Sequence, residues 1–342
     1  MVRAIPARAI PFPPMEAELV RELPVGDGWQ YEPKWDGFRG VFENCGKELA
    51  MWSRNERPLL RYFPELRPLG DLLAPKSALD GEIVIARDGV LDFDAMQMRL
   101  HPAESRVKRL SAEIPAEFVV FDVLVWDGEP VWKLPLEERR ARVEALKGFR
   151  LSPATQDIDE ARGWLERFES LGLDGVIAKK LGVPYLPGSR DGVVKVKEHK
   201  SADCVVIGFR WKDDRSAIAT LLLGLYRDGD NLQMVGGAAS FTAKDRLKLL
   251  ADLEPLREGD EVREGDPSRW NSAADKRWIP VRPEKVCEVA YDQMEGNTVH
   301  GKRFRHAVKF VRWRPDRDPT SCTFEQLDVP ITLDLYDVLE VR

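Results

Sequence analysis

The stretch Glu32-Pro33-Lys34-Trp35-Asp36-Gly37-Phe38-Arg39 contains a lysine, a carboxylate and a glycine in the pattern Lys-x-Asp-Gly. The pattern is short, and a lysine in it is more often an ordinary surface residue than a functional one. An ordinary lysine is also protonated at neutral pH, so a nucleophilic lysine needs desolvation or neighbouring cations before it can react. The significance of Lys34 therefore depends on the residues that follow it along the chain.

Further elements suited to a nucleotide site follow Lys34 in one order. They are Ser53-Arg54-Asn55, Leu79-Asp80-Gly81-Glu82-Ile83-Val84, Phe121-Asp122, Asp174-Gly175-Val176-Ile177-Ala178-Lys179, Lys195-x-Lys197 and Arg314-Pro315-Asp316-Arg317. Because side chains alternate along a strand, we expect both lysines of the Lys-x-Lys pair on one face. Each element alone has an ordinary interpretation as a core aromatic, a strand-edge charge or a solvent-facing residue. The shared order favours a functional interpretation.

The first two hundred residues mix the patterns of sheet and helix. Runs rich in β-branched residues predict strands at 80–87, 118–125, 175–179 and 193–197. Apolar positions three and four residues apart predict helices over 136–147 and 159–171. This mixture is typical of an α+β or α/β domain.

After Lys200 the pattern is dominated by strands. They are predicted at 203–211, 217–226, 232–240, 286–292 and 306–313. One helix is predicted over 242–256, with Thr242 as its N-cap. This set of elements is typical of a small barrel such as the OB-fold. The polar and acidic segment 257–280 is predicted to be a long loop on that barrel.

Length and composition narrow the classes of protein. A length of 342 residues favours two domains. The chain has no apolar run of about 18 residues and no apolar core of a secretion signal at its start, so we expect no membrane association. The four Cys residues have neither zinc-site nor disulfide spacing, which fits a reducing cytoplasm. A net charge of −6 argues against a protein that binds nucleic acid by global electrostatic attraction. The basic run within 302–317 is either a local nucleic-acid-binding patch or an ordinary solvated surface.

The ordered elements resemble the collinear motifs of covalent nucleotidyltransferases, which include DNA ligases, RNA ligases and mRNA capping enzymes. Segments such as EPKWDGFR, SRNERP, RYFPEL, HPAESRV, VKVKEHKSADCVVIG and SCTFEQLD look more closely like bacterial ATP-dependent DNA ligases of the ligase C type. The resemblance implies an α+β fold. It consists of a nucleotidyltransferase (ATP-grasp-like ligase) domain over 1–199, an OB-fold over 200–317 and a C-terminal extension over 318–342.

The same resemblance implies a nucleotide site for ATP. Lys34 would be the nucleophile that takes AMP from ATP, with Asp36 beside it in the site. Glu32 would contact the adenine, Phe121 would stack on it, and Glu82 would hold the ribose.

Phosphate and metal contacts are implied by the remaining motif residues. Arg39 and Arg54 would bind the ribose side and the 5′-phosphate of a nick, and Lys195 and Lys197 would bind the triphosphate. Arg314, Asp316 and Arg317 would orient the pyrophosphate leaving group. Asp174 and Glu82 would hold Mg²⁺, with Mn²⁺ as the alternative ion.

The implied function is sealing of nicks between 3′-hydroxyl and 5′-phosphate ends through a lysyl-AMP intermediate, in DNA repair or end joining. The implied partners of this monomer are nicked double-stranded DNA and a Ku-like end-binding protein or a primase-type polymerase. We expect DNA binding to be weak and salt-sensitive, because phosphate contacts come from local patches. Three alternatives stay open at this point: an RNA ligase, a capping guanylyltransferase, and a non-catalytic OB-type nucleic-acid-binding protein.

Overall fold

The computed structural model describes residues 10, 13–197, 200–212, 215–257, 259, 262–264, 277–296, 302–327 and 334–341. The chain forms two compact units, Met1–Glu198 with Val329–Arg342 and His199–Asp328. The predicted C-terminal extension over 318–342 is therefore divided between the two units. Among the described residues, no helix has the length and apolar character needed to cross a membrane.

Two sheets form the framework of the first unit. Its first eleven strands are β1 (Glu18–Leu19), β2 (Trp29–Pro33), β3 (Phe38–Asn44), β4 (Leu49–Ser53), β5 (Ser77–Val84), β6 (Ala86–Arg87), β7 (Val90–Leu91), β8 (Glu117–Val125), β9 (Arg150–Leu151), β10 (Val176–Lys180) and β11 (Val193–Val196). One sheet has the order β1-β11-β10-β2, and β9, β8, β5, β3 and β4 lie in that order in the other. The α+β prediction for this part of the chain is confirmed.

Strand β5 has apolar cover on both of its faces. Leu79 and Ile83 pack in one hydrophobic cluster, whereas Ala78 and Val84 pack in two others. Because successive side chains of a strand point to opposite faces, Leu79 and Ile83 are buried on one face and Ala78 and Val84 on the other.

Four helices accompany these sheets: α1 (Phe93–Arg99), α2 (Glu104–Glu113), α3 (Leu136–Ala145) and α4 (Ile158–Arg167). The Asp92 and Asp157 side chains accept backbone N–H bonds at the starts of α1 and α4, as N-caps do.

The second unit is built from strands around one helix. They are β12 (Lys200–Trp211), β13 (Ile218–Tyr226), β14 (Leu232–Ala238), α5 (Ala243–Leu253), β15 (Arg263–Glu264), β16 (Arg277–Pro280), β17 (Val286–Tyr291), β18 (Met294–Glu295), β19 (Arg303–Phe304) and β20 (Lys309–Trp313). The main sheet runs β14-β13-β12-β16-β15, and β17 pairs with both β12 and β20. Thr242 accepts the backbone N–H of Asp245, which confirms the predicted N-cap.

One feature of this unit differs from the sequence-based prediction. The segment 257–280 is not all loop, because β15 and β16 lie within it, and Ile279 is the register partner of Phe209 on β12. Buried Trp278 and Ile279 account for β16, whose four residues are too few to reveal a period. Residues 265–276 of that predicted loop lie outside the described residues. Ala238 at the end of β14 also forms an isolated parallel bridge with Val308.

The end of the chain returns to the first unit. Helix α6 (Leu335–Val338) and strand β21 (Glu340–Val341) follow one another, and β21 pairs with β9 at the edge of the larger sheet. Leu335 is 0% exposed and joins the hydrophobic cluster that contains Trp35 and Val176. The terminal segment therefore packs behind the strands that flank Lys34.

Candidate active site

One cavity of about 820 Å³ in the first unit contains most of the predicted site residues. Its walls include Glu32, Lys34, Arg39, Arg54, Glu82, Phe121 and Lys195. Small-molecule sites range over roughly 300–1,000 Å³, so the cavity is large enough for a nucleotide. These seven residues come from five strands (β2, β3, β5, β8 and β11), from the loop after β2 and from the turn after β4, which the fold brings to one place.

Backbone hydrogen bonds fix Lys34 directly after β2. The Lys34 N–H donates to the Gly175 carbonyl at 2.9 Å, and the Asp174 N–H donates to the Lys34 carbonyl at 3.0 Å. The Lys34 Nζ hydrogen-bonds to Asp174 Oδ2, and the Lys197 Nζ lies 3.0 Å from the same oxygen. One carboxylate thus joins the two predicted lysines.

Charges around this carboxylate shift the pKa values of its neighbours. Burial alone would raise the pKa of Asp174, but Lys34 and Lys197 hold it below its ordinary value. Partial burial, reinforced by the positive charges of Lys34, Lys197 and Arg190, lowers the pKa of Lys195. The cavity wall is therefore strongly cationic near Lys34, as a site for phosphate groups requires.

Two glycines allow the strands to approach each other here. A Cβ atom on Gly37 would lie 2.0 Å from the Ile83 carbonyl oxygen, and one on Gly175 would lie 2.0 Å from the Val196 carbonyl oxygen. Gly175 also has a φ of +130°, a conformation that side chains disfavour. The glycines of the Lys-x-Asp-Gly and Asp-Gly-Val-Ile elements are therefore needed for close backbone packing around Lys34.

A buried ion pair lies beside the predicted adenine site. The Lys179 Nζ donates to the Glu32 carboxylate at 2.8 Å, and Gln30 Nε2 donates to it at 2.8 Å. Lys179 also donates to the Phe121 carbonyl at 3.3 Å, and its Nζ lies 4.9 Å from the centre of the Phe121 ring. Glu32 is only 2% exposed, so Lys179 balances a charge that solvent cannot reach.

Arg39 is held by a second carboxylate. Its guanidinium forms a two-pronged contact with Asp80 at 2.9 and 2.6 Å, and the Tyr185 hydroxyl donates to Asp80 at 2.7 Å. Burial alone would lower the pKa of Arg39, but the negative charge of Asp80 raises it above its ordinary value. The guanidinium carbon lies 5.1 Å from the centre of the Phe121 ring, so two cations flank this aromatic residue.

Glu82 and Asp36 lie differently with respect to the cavity. Glu82 lines it, and burial raises the pKa of this carboxyl to about 8. Asp36 is half-buried and does not line the cavity, although it belongs to the same loop as Lys34.

A magnesium ion fits this arrangement only with help from a substrate. Among the described residues, no three His, Cys, Asp or Glu side chains are grouped so as to hold a metal. Proteins commonly bind Mg²⁺ through one or two carboxylates together with substrate phosphates. Of the two carboxylates predicted to hold the ion, Glu82 lines the cavity and Asp174 contacts Lys34.

The remaining predicted residues lie in the second unit. The Arg314 guanidinium bonds to both Asp203 carboxylate oxygens at 2.9 Å and to Asp316 at 2.8 Å. The hydrogen bond to Arg314 lowers the pKa of Asp316 to about 2, and the Arg317 Nε lies 3.7 Å from Asp203. Asp203 therefore orients this cationic segment.

Sequence reasoning assigned no role to several residues that shape the cavity. Lys179 closes the Asp-Gly-Val-Ile-Ala-Lys element, and Asp80 belongs to the element that contains Glu82. The sequence shows that both residues belong to motifs, but it does not show which residues they contact. Tyr185 had no signal of its own, because its contact with Asp80 joins residues 105 positions apart.

Known protein families match nearly the whole described length. Residues 14–197 match the model of the ATP dependent DNA ligase domain, and residues 214–317 match that of the ATP dependent DNA ligase C terminal region. DNA ligase C1 of Mycolicibacterium smegmatis is 58% identical over 340 residues, covering 96% of this chain and 97% of that protein. DNA ligase C of Mycobacterium tuberculosis is 42% identical over 355 residues, with coverage of 96% and 97%.

A solved structure from a structure–function analysis of Lig E DNA ligases has a TM-score of 0.54 at 16% identity. The match covers 88% of this chain and 100% of the solved chain. At that identity the likeness concerns the fold alone, and it agrees with the two units described above. The matched domains, the identity to ligase C proteins and the nucleotide-sized cavity lead to one conclusion: the chain belongs to the bacterial ATP-dependent DNA ligases of the ligase C type.

Proposed function

We propose that Lys34 is the residue on which this ATP-dependent DNA ligase forms lysyl-AMP, and that the AMP then activates a nick in double-stranded DNA. The observation that supports this assignment is the joint position of Lys34, Asp174 and Lys197. Lys34 lines a nucleotide-sized cavity, and the Asp174 carboxylate joins its Nζ to that of a second lysine.

The first step is attack of the neutral Lys34 amine on the α-phosphorus of ATP. A nitrogen–phosphorus bond forms, the bond to the β-phosphate oxygen breaks, and pyrophosphate leaves. Lys34 must lose a proton first, and Asp174 is the group in hydrogen-bond contact with it. Lys195 and Lys197 offset the charge that builds on the phosphate oxygens, an effect worth several kcal/mol in preorganised sites, on the order of 3 kcal/mol per donor.

The other steps transfer and release the AMP. A 5′-phosphate oxygen at the nick attacks the lysyl-AMP phosphorus and frees Lys34. The 3′-hydroxyl then attacks the activated 5′-phosphate, so that a phosphodiester forms and AMP leaves. Arg54 is the exposed cavity residue that we assign to the 5′-phosphate, because an arginine fork matches phosphate geometry.

The nucleotide contacts follow from the cavity walls. Glu32 would accept the adenine amino group, with its carboxylate held by Gln30 and Lys179. Phe121 would stack on the base and Glu82 would bind the ribose. When Mg²⁺ is bound, Asp174 and Glu82 would hold it, and the ion would offset phosphate charge. Arg314, Asp316 and Arg317 keep their predicted role in pyrophosphate departure.

The biological setting is also part of the proposal. The enzyme would act in the bacterial cytoplasm as a monomer, in repair or end joining. A Ku-like end-binding protein or a primase-type polymerase would bring it to DNA ends. Co-purification with such proteins from cells, compared in the presence and absence of nuclease, tests this part separately.

The deciding experiment is incubation with α-labelled ATP and Mg²⁺, followed by a chase with nicked duplex DNA. We expect label on the wild-type chain and on the Lys47→Ala variant, an exposed lysine outside the cavity, but not on Lys34→Ala. The label should leave as AMP while the strand is sealed. Labelling of Lys34→Ala would refute the nucleophile assignment. Label from GTP would favour a capping enzyme, and faster sealing of RNA ends would favour an RNA ligase.

A further inference from the structure

The cavity around Lys34 is also lined by residues that have no assigned contact with ATP. They include Arg57, Pro58, Leu59, Arg61 and Tyr62. These residues connect β4 to a 3₁₀ helix at Pro64–Asp71. Nothing in the nucleotide contacts above explains two arginines on this wall.

A tight turn fixes the first of these arginines. The Ser53 N–H donates to the Arg57 carbonyl at 2.8 Å, and the Arg57 N–H donates to Ser53 Oγ at 3.0 Å. The Glu56 N–H closes the turn on the Ser53 carbonyl at 2.9 Å, with Glu56 at a φ of +57°. Arg54 and Arg57 therefore project from one rigid turn.

Buried contacts fix the second arginine. Leu60 and Phe63 on either side of Arg61 are buried in the hydrophobic core. Arg99, which is 0% exposed, donates to the Tyr62 carbonyl at 2.8 Å and to the Glu65 carboxylate at 2.6 Å. The backbone of this segment is thus tied to the core while its arginines face outward.

The charges of these arginines are not neutralised locally. Arg57 and Arg61 are exposed, and neither forms a salt bridge within the described part of the chain. The Arg61 guanidinium lies 4.9 Å from the centre of the Tyr62 ring and donates to the Pro102 carbonyl at 3.4 Å, which is a neutral partner. Each guanidinium therefore keeps several N–H donors that no carboxylate in the described part of the chain occupies, on residues that line the cavity.

We propose that Arg57 and Arg61 bind phosphodiester groups of the DNA strand whose 5′-phosphate receives AMP. This inference rests on the proposed function, since it is that strand whose end must enter the same cavity to reach Lys34. Arg57 and Arg61 each contact one backbone phosphate of that strand, and together they set the position of the strand end. Such phosphate contacts determine register and affinity without reading the base sequence.

ATP is a second source of phosphate in this cavity, so the experiment separates the two ligands. The full-length chain is titrated with a labelled nicked duplex at several salt concentrations. The variants are Arg57→Ala, Arg61→Ala and their Lys counterparts. Arg67→Ala is the matched control, because Arg67 is exposed on the following 3₁₀ helix and does not line the cavity. The KM for ATP in lysyl-AMP formation is measured on the same proteins.

Each alanine variant should lower the slope of log K against log salt by about 0.9, the value for one lost contact with duplex DNA. The lysine variants should restore most of that slope, and Arg67→Ala should resemble the wild type. A raised KM for ATP with an unchanged salt slope would assign the arginines to the triphosphate and overturn the proposal. If the salt slopes of Arg57→Ala and Arg61→Ala equal that of Arg67→Ala, the proposal is also overturned. Absence of lysyl-AMP in the wild type would instead count against the proposed function.

Discussion

Replacing Lys179 by Met tests whether the buried ion pair supports the adenine side of the cavity. The substitution removes the 2.8 Å contact with Glu32, the 3.3 Å hydrogen bond to the Phe121 carbonyl and the nearby cation at 4.9 Å from the Phe121 ring. The volume of the side chain is nearly conserved. Glu32 is left almost inaccessible to solvent, with Gln30 as its remaining hydrogen-bond donor.

The expected loss of folding stability follows from the burial of Glu32. Removing one partner of a buried pair costs about 3–5 kcal/mol, because an uncompensated charge remains. The bond from Gln30 favours the lower end of that range, or about 3 kcal/mol. For a unit of this size, about 2–4 °C of Tm is lost per kcal/mol, so the expected fall is about 6–12 °C. We also expect the KM for ATP to rise, since Glu32 and Phe121 both lose their support.

The assay is thermal and urea unfolding of the protein, monitored by tryptophan fluorescence. The KM for ATP in lysyl-AMP formation is measured on the same variants. Lys47→Met is the control, because Lys47 is exposed and does not line the cavity. The double variant Glu32→Gln with Lys179→Met should regain stability to within about 1 kcal/mol of the wild type, as paired replacements often do. A loss below about 1 kcal/mol in Lys179→Met would refute the reasoning, since exposed pairs contribute no more than that.

Three further predictions concern the same unit. Gly37→Ala should abolish lysyl-AMP formation, because its Cβ would lie 2.0 Å from the Ile83 carbonyl oxygen; wild-type labelling with α-labelled ATP would contradict this. Asp174→Asn should slow lysyl-AMP formation on the order of a hundredfold, measured by rapid quench, because Lys34 loses its charged partner; a change below threefold would be incompatible with that role. Leu335→Ala should cost about 2–5 kcal/mol in urea unfolding, because the side chain is 0% exposed; an unchanged midpoint would show that the C-terminal segment does not stabilise the unit.

The sequence alone was sufficient to predict the fold class and to identify, in order, the motifs that carry the chemistry. Strand and helix periods depend on neighbouring residues, so the elements around 118–125, 136–147 and 242–256 could be predicted from local pattern. The motif glycines were visible in the sequence, but their close approach to the Ile83 and Val196 carbonyl oxygens was not. The short strand β16 was missed, because four residues between polar segments leave no measurable period.

Only the tertiary structure decided which charges meet. Lys34 and Asp174 are 140 positions apart, Glu32 and Lys179 are 147 apart, and Tyr185 reaches Asp80 across 105 positions. Such pairs depend on strand register and on closure of long loops, which local pattern does not contain. The sequence therefore determined which side chains were available for the chemistry. The pairing of β2 with β10 and of β3 with β5 determined their partners, their burial and hence their charge environment.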